Sequence, residues 1–174
     1  EGKILLPVIG QGIFFKAPGG RFELLPGSEA LGDMIISGMA ALPGGRLLIG
    51  TDRKGLYVWS EGRLTTWDTP VAKQLSKSRI NKILSLSDGS FAFGTIGEGL
   101  YIGDRSARIL YHIHRATGIQ NNTVLALFED RDGNLWAGLD KGMDVLAMNA
   151  PLRFSIDRSG NLGAVFTACS FEDK

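Results

Sequence analysis

The feature that most constrains the fold is a segment that recurs at a fixed interval along the chain. The stretches ALPGGRLLIGT, SLSDGSFAFGT and EDRDGNLWAGL each read as a tight turn followed by an apolar strand that ends near a glycine. These glycines, Gly50, Gly94 and Gly138, stand 44 residues apart. A fixed repeat of roughly 40 to 50 residues decides the architecture, because each copy must form the same supersecondary unit.

Each copy of the repeat contains short apolar strands separated by turn residues. The first strands carry apolar side chains at alternate or nearly alternate positions, and they are predicted at residues 35–42, 80–86, 123–129 and 164–171. The second strands end at the repeated glycines, with KILLPV as a weaker copy near the start. The third strands begin at Gly12, Gly55, Gly99 and Gly142. The fourth strands are RFELL, RLTTW, RILYHI and RFSI.

Helix signals are almost absent from the chain. No stretch keeps apolar residues at positions i, i+3, i+4 and i+7 over three turns, and 24 glycines are spread along the sequence. Four short antiparallel strands in each repeat of this length are typical of propeller blades. The sequence therefore predicts an all-β fold made of β-propeller blades, each with four antiparallel strands.

Two groups of glycines have specific roles in this prediction. Gly89 and Gly133 each follow an aspartate, and we expect both to take a positive φ in a hairpin turn, where a side chain would be strained. Gly50, Gly94 and Gly138 lie near strand ends. We expect them to allow a bulge or the close approach of a neighbouring backbone.

The whole chain, residues 1–174, is predicted to be a single β-propeller region. It divides into a partial blade at 1–30, blades at 31–72, 73–118 and 119–160, and the first strand of a further blade at 161–174. These pieces amount to about four blades cut out of phase. They could close into a four-bladed ring, pair with a second chain into eight blades, or belong to a larger propeller. Because the sequence begins without Met and stops after a turn-like acidic end, we expect a fragment of a larger propeller.

Composition excludes several functional classes. The chain is 44% apolar and 21% charged, which is the balance of a globular domain, and its formal net charge is +1. No basic cluster is present, so we expect no nucleic-acid partner and no direct membrane contact. Cys169 is the only cysteine, which excludes an internal disulfide and a cysteine-based zinc site. No apolar run reaches the roughly 18 to 20 residues of a membrane span.

The segment NNTVLALFEDRDGNLWAGLDKGMDVL, residues 121–146, resembles the repeat of two-component regulator propellers. That repeat follows the pattern N-x-V-x-x-I-x-x-D-x-x-G-x-L-W-I-G-T-x-x-G-L. The matching positions are Asn122, Val124, Leu127, Asp130, Gly133, Leu135, Trp136, Gly138 and Gly142. Leu139 stands in place of the threonine. The copies PGGRLLIGTDRKGLYVW and SDGSFAFGTIGEGLYI match more weakly, so the resemblance covers essentially the whole chain.

In that family the propellers are periplasmic sensor domains of hybrid two-component histidine kinases of gut Bacteroidetes, and many respond to oligosaccharides. The resemblance implies a periplasmic ectodomain of an inner-membrane protein, with an oligosaccharide as its ligand and an attached kinase as its output. We expect no cofactor. We also expect self-association, as a homodimer or through exposed blade edges. Because the motif marks blades, the resemblance assigns no binding residues.

Two local motifs resemble metal sites, and the fold explains both more simply. The aspartates of DRDGN at 130–134 alternate as in a calcium loop, but the sixth position would be Leu135 and the twelfth Lys141. His112 and His114 are spaced to share one face of a strand, but no third ligand stands nearby in the sequence. We predict a hairpin turn at 130–134, and outer-strand histidines that face solvent or a neighbouring blade.

The loops that join second to third strands are the remaining candidates for a binding site. They occupy equivalent positions in three blades, so we expect them to share one rim of the propeller. Their charged residues are Asp52, Arg53, Lys54, Glu98, Asp140 and Lys141. Such a rim could hydrogen-bond sugar hydroxyls or a carboxylate, and Tyr57, Trp59 or Tyr101 could stack on a sugar if they reach the surface. Solvated loop charges without a ligand are the alternative.

Three functions are compatible with this pattern. The first is the ligand-sensing propeller segment of a two-component sensor histidine kinase, and the second is a protein-interaction scaffold without a small ligand. The third is a propeller hydrolase or lyase, which requires carboxylates converging on the central channel. Glu61, Asp88 and Asp132 lie at predicted turns, and the inner strands carry almost no acidic residues. We therefore predict that this chain is not an enzyme.

Overall fold

The computed structural model describes residues 4–16 and 19–148, which form four antiparallel sheets. The first sheet contains β1 (Leu5–Val8), β2 (Gly12–Lys16) and β3 (Phe22–Leu24). The second contains β4 (Ile36–Leu42), β5 (Arg46–Thr51), β6 (Leu56–Ser60) and β7 (Arg63–Thr66). The third contains β8 (Ile80–Ser85), β9 (Phe91–Thr95), β10 (Leu100–Gly103) and β11 (Ile109–Ile113). The fourth contains β12 (Val124–Glu129), β13 (Asn134–Leu139) and β14 (Met143–Ala147).

The all-β prediction is confirmed, and each described strand lies in its predicted segment. Within every sheet, each strand pairs with the next one along the chain. The second and third sheets contain the first to fourth strands of the repeat in that order. The three strands of the first sheet correspond to the second, third and fourth strands of the repeat. Its middle strand, β2, begins at Gly12, which is equivalent to Gly55 at the start of a third strand. The predicted strands RFSI and 164–171 lie outside the described residues.

Hydrophobic cores join the sheets, and each core lies between two sheets that are consecutive in the chain. The buried residues between the first and second sheets are Ile13, Leu31, Leu47 and Ile49. Those between the second and third include Leu48, Val58, Ile83, Phe93 and Tyr101. Those between the third and fourth include Ala92, Leu100, Val124, Leu135 and Ala137. The second and third sheets each bury apolar side chains against a neighbouring sheet on both faces, so these blades depend on their neighbours for a core.

A β-bulge recurs at the same place in the first strand of three sheets. The register shifts lie between Ile36 and Gly38, between Ile80 and Lys82, and between Val124 and Ala126. In each sheet the residue paired beside the shift is one of the repeated glycines, Gly50, Gly94 and Gly138. The expectation of bulges at these glycines is therefore confirmed.

The turns that connect first to second strands also follow the prediction. Gly89 has a φ of 82° and Gly133 a φ of 78°. Both lie between the first and second strands of their sheets, where the chain reverses direction. Glycine adopts this left-handed region without the steric cost that a side chain would add, which explains why it follows the aspartate in both turns.

The described residues contain one α-helix, which lies outside the sequence prediction, and two short 3₁₀ helices at Ser28–Leu31 and Pro43–Gly45. The α-helix, α1 (Pro70–Leu75), connects β7 to β8 and buries Val71 and Leu75 between the second and third sheets. The Thr69 side chain accepts a hydrogen bond from the Ala72 N–H and so caps the helix. Six residues are too few to produce a periodic apolar pattern. No helix in 4–16 or 19–148 is long and apolar enough to cross a membrane.

Candidate functional site

The loops that join second to third strands lie at one edge of three consecutive sheets, and we call them the rim. They carry all of the predicted binding residues: Asp52, Arg53 and Lys54 after β5, Glu98 after β9, and Asp140 and Lys141 after β13. The connections that enter each first strand reach the same edge, because the strands alternate in direction. Ser78 and Arg79, which precede β8, therefore lie beside the rim.

A threonine builds the rim loop in two of the three blades. The Thr51 hydroxyl donates to the carbonyl of Gly55 at 2.8 Å and accepts from the Lys54 N–H at 2.9 Å. Thr95 makes the equivalent bonds, donating to Gly99 at 2.8 Å and accepting from Glu98 N–H at 3.2 Å. In the third loop Leu139 takes this position and keeps only the backbone bond to Gly142. The threonine of the repeat motif is therefore a loop-forming residue.

Asp52 is held within the protein by two arginines. Its carboxylate contacts Nε of Arg53 at 3.3 Å and Nε of Arg79 at 3.1 Å, and its side chain is only 19% exposed. Arg79 belongs to the connection that leads into the third sheet, so the second ion pair joins two blades. The two arginines compensate most of the charge of Asp52. We therefore assign Asp52 a role in holding the loop and not in contacting a ligand.

Glu98 is the centre of a second polar cluster at the rim. Its carboxylate accepts hydrogen bonds from the Ser78 hydroxyl at 2.6 Å and from the Tyr101 hydroxyl at 3.2 Å. Its backbone carbonyl lies 2.8 Å from Nε2 of His112. Burial raises the pKa of the Tyr101 phenol above its ordinary value of 10.0, and the neighbouring Glu98 charge acts in the same direction. Glu98 therefore anchors its loop to the connection before β8 and to β10 of the same sheet.

Five of the six rim residues, all except Asp52, are exposed, and two of the five, Arg53 and Glu98, are engaged by neighbouring side chains. Lys54, Asp140 and Lys141 are exposed, and their loops are held by backbone bonds such as Asp140 N–H to the Thr123 carbonyl at 3.0 Å. Together they offer ammonium donors and a carboxylate acceptor. These are the chemical groups that hydrogen-bond sugar hydroxyls or a charged substituent.

The aromatic residues considered for sugar stacking lie in different environments. Tyr101 is 2% exposed and stacks on His112 with ring centroids 3.9 Å apart, so it does not reach the surface. Tyr57 packs against the core between the first and second sheets. Trp59 pairs with Leu47, at the end of its strand away from the rim, and its indole N–H donates to the Pro26 carbonyl at 2.7 Å.

An apolar cleft of about 710 Å³ opens between the first and second sheets, away from the rim. Trp59 and Phe15 supply aromatic walls, and Arg46 and Glu61 are its charged residues. A smaller cleft of about 330 Å³ lies next to it, between the second and third sheets, and shares Arg46. Trp67 and Arg105 line this second cleft. Neither cleft could be predicted from the positions of these residues in the repeat.

His112 lies in β11 and His114 directly follows it, and their ring centroids are 4.8 Å apart. His112 stacks on Tyr101, and Nδ1 of His114 lies 3.3 Å from the Ala116 N–H. The described part of the chain has no group of three His, Cys, Asp or Glu side chains placed to hold a metal ion. Cys169 lies outside the described residues.

The turn at 130–134 is a hairpin built round one carboxylate. Asp130 accepts hydrogen bonds from the Trp136 indole N–H at 2.8 Å, from the Asn134 side chain and backbone, and from the Asp132 N–H. These donors lower the pKa of Asp130 to about 2, with the Trp136 bond as the largest cause. Both carboxylate oxygens of Asp130 are thus hydrogen-bonded within the turn. The segment 130–134 therefore forms a hairpin turn, as predicted, although its alternating aspartates resemble those of a calcium loop.

Residues 118–141 match the family model described as two component regulator propeller. The match covers the fourth-sheet hairpin and the approach to it, including Asp130, Gly133, Trp136 and Gly138. The resemblance inferred from these residues is confirmed. No curated protein has a sequence that matches the chain significantly.

Several solved structures share the fold. The extracellular domain of the putative hybrid two component system BT3049 from B. thetaiotaomicron aligns with a TM-score of 0.70 at 17% identity, over 88% of this chain and 21% of that one. The corresponding domain of BT4673 from the same organism gives 0.62 at 20% identity, over 87% and 21%. PorZ, a surface component of the type-IX secretion system of Porphyromonas gingivalis, gives 0.58 at 15% identity, over 83% and 25%. The chain thus spans about a fifth to a quarter of the length of these structures.

Proposed function

We propose that this chain is a segment of the extracytoplasmic, ligand-sensing propeller of a two-component sensor histidine kinase. The observation that carries the proposal is the two-component regulator propeller repeat at residues 118–141. The shared fold with extracellular domains of putative hybrid two-component systems supports it. On this proposal the segment lies in the periplasm and acts through the kinase of its parent protein.

We further propose that the ligand is a carbohydrate and that it binds at the rim. Lys54 on the second-sheet loop and Asp140 and Lys141 on the fourth-sheet loop are exposed and supply both donors and acceptors, with the third-sheet loop between them. Asp52 would hold the Lys54 loop in place and Glu98 the intervening loop, since their carboxylates are engaged by arginine, serine and tyrosine side chains. Charged groups on a prearranged surface fix the orientation of a polar ligand, whereas aromatic walls supply contact area.

The cleft beside Trp59 is the second candidate for the ligand. It combines aromatic surface with Arg46, whereas the rim has charge without an exposed ring. A neutral sugar that stacks on an indole would favour the cleft, and a ligand recognised by its charged groups would favour the rim.

Signalling requires that the ligand distinguish two arrangements of the propeller or of its dimer. A ligand that binds both arrangements equally shifts nothing, however tightly it binds. The Asp52–Arg79 ion pair joins the rim loop of the second sheet to the connection that leads into the third sheet. A ligand that bridges two of the rim loops would therefore favour one relative position of the blades.

We propose no catalytic role for this segment. Two of the three acidic residues that the enzyme hypothesis considered, Asp88 and Asp132, take part in the hydrogen bonds of their own turns. Asp88 accepts from the Ser90 N–H at 2.8 Å and hydroxyl at 2.6 Å, which together with Arg105 lowers its pKa. The Asp132 N–H donates to Asp130, so this residue also belongs to the hairpin.

Thermal unfolding with a panel of oligosaccharides released from pectin, xylan, heparin and mucin tests the proposal. Residues 1–174 and the ectodomain of the parent protein are each compared with a rim variant, Lys54→Ala/Asp140→Ala/Lys141→Ala, and a cleft variant, Arg46→Ala. Saturable stabilisation that the rim variant loses and the cleft variant keeps is the expected result. The converse moves the ligand to the cleft. No stabilisation by any sugar, together with specific capture of a protein, would favour the scaffold alternative.

Reading the same open reading frame beyond both ends of this sequence tests the signalling part separately. We expect a membrane span and a histidine-kinase core downstream. A frame without them would contradict the sensor role even if a sugar binds.

A further inference from the structure

The smaller cleft, between the second and third sheets, is lined by two arginines and, among the described residues, by no acidic side chain. Arg46 stands at the start of β5, and Arg105 lies in the turn between β10 and β11. Both positions are at the edge of the sheets opposite the rim. The cleft therefore presents positive charge alone, whereas the exposed rim residues carry charges of both signs.

Each of these arginines is held by the backbone of a neighbouring turn. Nε of Arg46 donates to the Pro43 carbonyl at 3.1 Å, and Nε of Arg105 donates to the Asp88 carbonyl. The Arg105 side chain also lies against Gly89, where a methyl group would come within 2.9 Å of its Nε. Each of these bonds uses one of the five N–H donors of a guanidinium, which leaves the terminal Nη groups to other acceptors.

The carboxylates nearest to Arg105 in the chain are engaged by other groups. Asp88 accepts two hydrogen bonds from Ser90, which lower its pKa more than the charge of Arg105 does. The carboxylate of Asp104 contacts Arg108 at 2.8 Å. In the described part of the chain neither cleft arginine forms an ion pair. Their charges are therefore not neutralised by direct contact.

Aromatic side chains line the same cleft. The rings of Trp67 and Phe91 meet edge to face with centroids 5.7 Å apart. The chain has three tryptophans, and the indole N–H groups of Trp59 and Trp136 donate to protein acceptors. The indole N–H of Trp67 has no acceptor in residues 4–16 and 19–148, and it is not buried. Trp67 therefore offers aromatic surface and an N–H that is open to solvent.

We propose that the smaller cleft binds an organic acid that consists of one ring bearing a carboxylate. The carboxylate lies between the guanidinium groups of Arg46 and Arg105, since its two oxygens accept up to four hydrogen bonds and match the planar donor pairs of arginine. The ring packs against Trp67. The volume of about 330 Å³ is at the lower end of the range for ligand sites and provides room for a single ring.

This site differs in residues and in charge from the two sites considered for the sensed sugar. The larger cleft beside Trp59 shares Arg46 but also contains Glu61, whereas Arg105 lines the smaller cleft alone. Replacing Arg105 therefore tests the smaller cleft without altering the larger cleft or the rim. The proposal does not rest on the sensor role, because it concerns binding at a separate place. Acidic sugars and aromatic acids both carry a ring with a carboxylate, and the test distinguishes them.

Isothermal titration calorimetry on the full chain tests the proposal. The probes are galacturonate and benzoate, each with its uncharged counterpart, galactose or benzamide. They are titrated into the wild type, Arg46→Gln, Arg105→Gln and the control Arg131→Gln. Arg131 is an exposed arginine at the same edge of the fourth sheet and lines neither cleft. Circular dichroism and thermal unfolding check that each variant is folded.

At least one of the two acids should bind saturably and about ten times more tightly than its uncharged counterpart. Arg46→Gln and Arg105→Gln should each weaken that binding about tenfold or more, because charge-assisted bonds to the carboxylate are lost. Arg131→Gln should leave the affinity nearly unchanged. Binding of galacturonate alone would support an acidic sugar as the ligand, and binding of benzoate alone would support an aromatic acid.

Three results would overturn the proposal. The first is the absence of binding by both acids, and the second is equal affinity for an acid and its uncharged counterpart. The third is a loss of binding in Arg46→Gln without a loss in Arg105→Gln, which would place the acid in the larger cleft. None of these results bears on oligosaccharide binding at the rim, which uses other residues.

Tryptophan fluorescence supplies an independent readout of where the ring lies. Saturation with the acid that binds should change the emission of the wild type, because the ring contacts Trp67. The change should disappear in Trp67→Phe, in which calorimetry should still detect binding. A fluorescence change of wild-type size in Trp67→Phe would place the ring elsewhere and contradict the proposal.

Discussion

The indole N–H of Trp136 donates to the carboxylate of Asp130 across 2.8 Å, which links the first residue of a hairpin turn to the strand that follows it. Asp130 and Trp136 are both conserved positions of the repeat pattern given above. The same carboxylate accepts bonds from Asn134, so turn and strand form one hydrogen-bonded unit. The tryptophan of the motif is thus explained by its polar edge as well as by its apolar surface.

Replacing Asp130 by Asn should reduce both stability and its dependence on acid pH. The pKa of Asp130 falls from 3.8 to about 2 in the folded protein, so its contribution is fully present above pH 3.8 and is lost as pH falls through about 2. Unfolding midpoints measured between neutral pH and pH 2 should fall less steeply for the variant. Asp132→Asn, a neighbouring exposed position, is the control and should keep the wild-type slope. A wild-type slope in Asp130→Asn would contradict the assignment.

Gly94→Ala should destabilise the protein by about 1 to 3 kcal/mol, the usual cost of overpacking a core. The added methyl would lie 2.6 Å from Cγ1 of Val124 in the next blade. Denaturant unfolding of a double-mutant cycle with Val124→Ala checks the cause. In the Val124→Ala background Gly94→Ala should cost less, because Cγ1 is gone and only the Cβ of residue 124, 2.9 Å from the added methyl, still opposes it. Simple additivity of the two losses would mean that the strain lies elsewhere.

The ion pair between Asp52 and Arg79 should contribute no more than about 1 kcal/mol, as is usual for partly exposed pairs. Arg79 is 49% exposed, so salt screens the interaction. A double-mutant cycle with Asp52→Ala and Arg79→Ala, measured at low and high salt, should give a coupling that declines with salt. The Asp68–Lys73 pair, with both side chains at least 75% exposed, is the control and should give almost none. A larger, salt-independent coupling would show that the pair is effectively buried.

Tyr101→Phe should remove part of the alkaline instability of the protein. Burial raises the pKa of Tyr101 above 10.0, so the folded state holds its proton more tightly than the unfolded state. That preference stabilises the fold fully below pH 10 and is lost as pH rises through the folded-state pKa. Unfolding from pH 8 upward should show a smaller alkaline decline in the variant. At neutral pH the lost bond to Glu98 should cost about 0.5 to 1.5 kcal/mol.

The repeat made the strands predictable, because each described strand could be checked against copies at the same interval. The same reasoning located the bulges opposite Gly50 and Gly94. It missed α1 because Pro70–Leu75 is less than two turns long and is held by core packing of Val71 and Leu75. Packing of this kind depends on residues distant in the sequence, which periodicity does not report.

The rim could be located from the sequence, but the use of its charges could not. From their loop positions, Asp52 and Glu98 are predicted to be available to a ligand. In the structure both carboxylates bind residues of the connection before β8. Arg79 and Ser78 could have been found from topology alone, since strands of alternating direction bring that connection to the same edge. Their bonds, however, depend on side-chain geometry, within one blade for Ser78 and Glu98 and across a blade boundary for Arg79 and Asp52.

Gly50 and Gly94 of two second strands lie against Ile83 and Val124 of the next first strands, so these surfaces match at the interval of the repeat. A blade of this kind carries one half of the match on each of its two faces. Tandem duplication of the stretch from one first strand to the next would therefore create a blade that already fits both neighbours, and deletion would rejoin fitting surfaces. We expect proteins built from this unit to change in length by whole repeats.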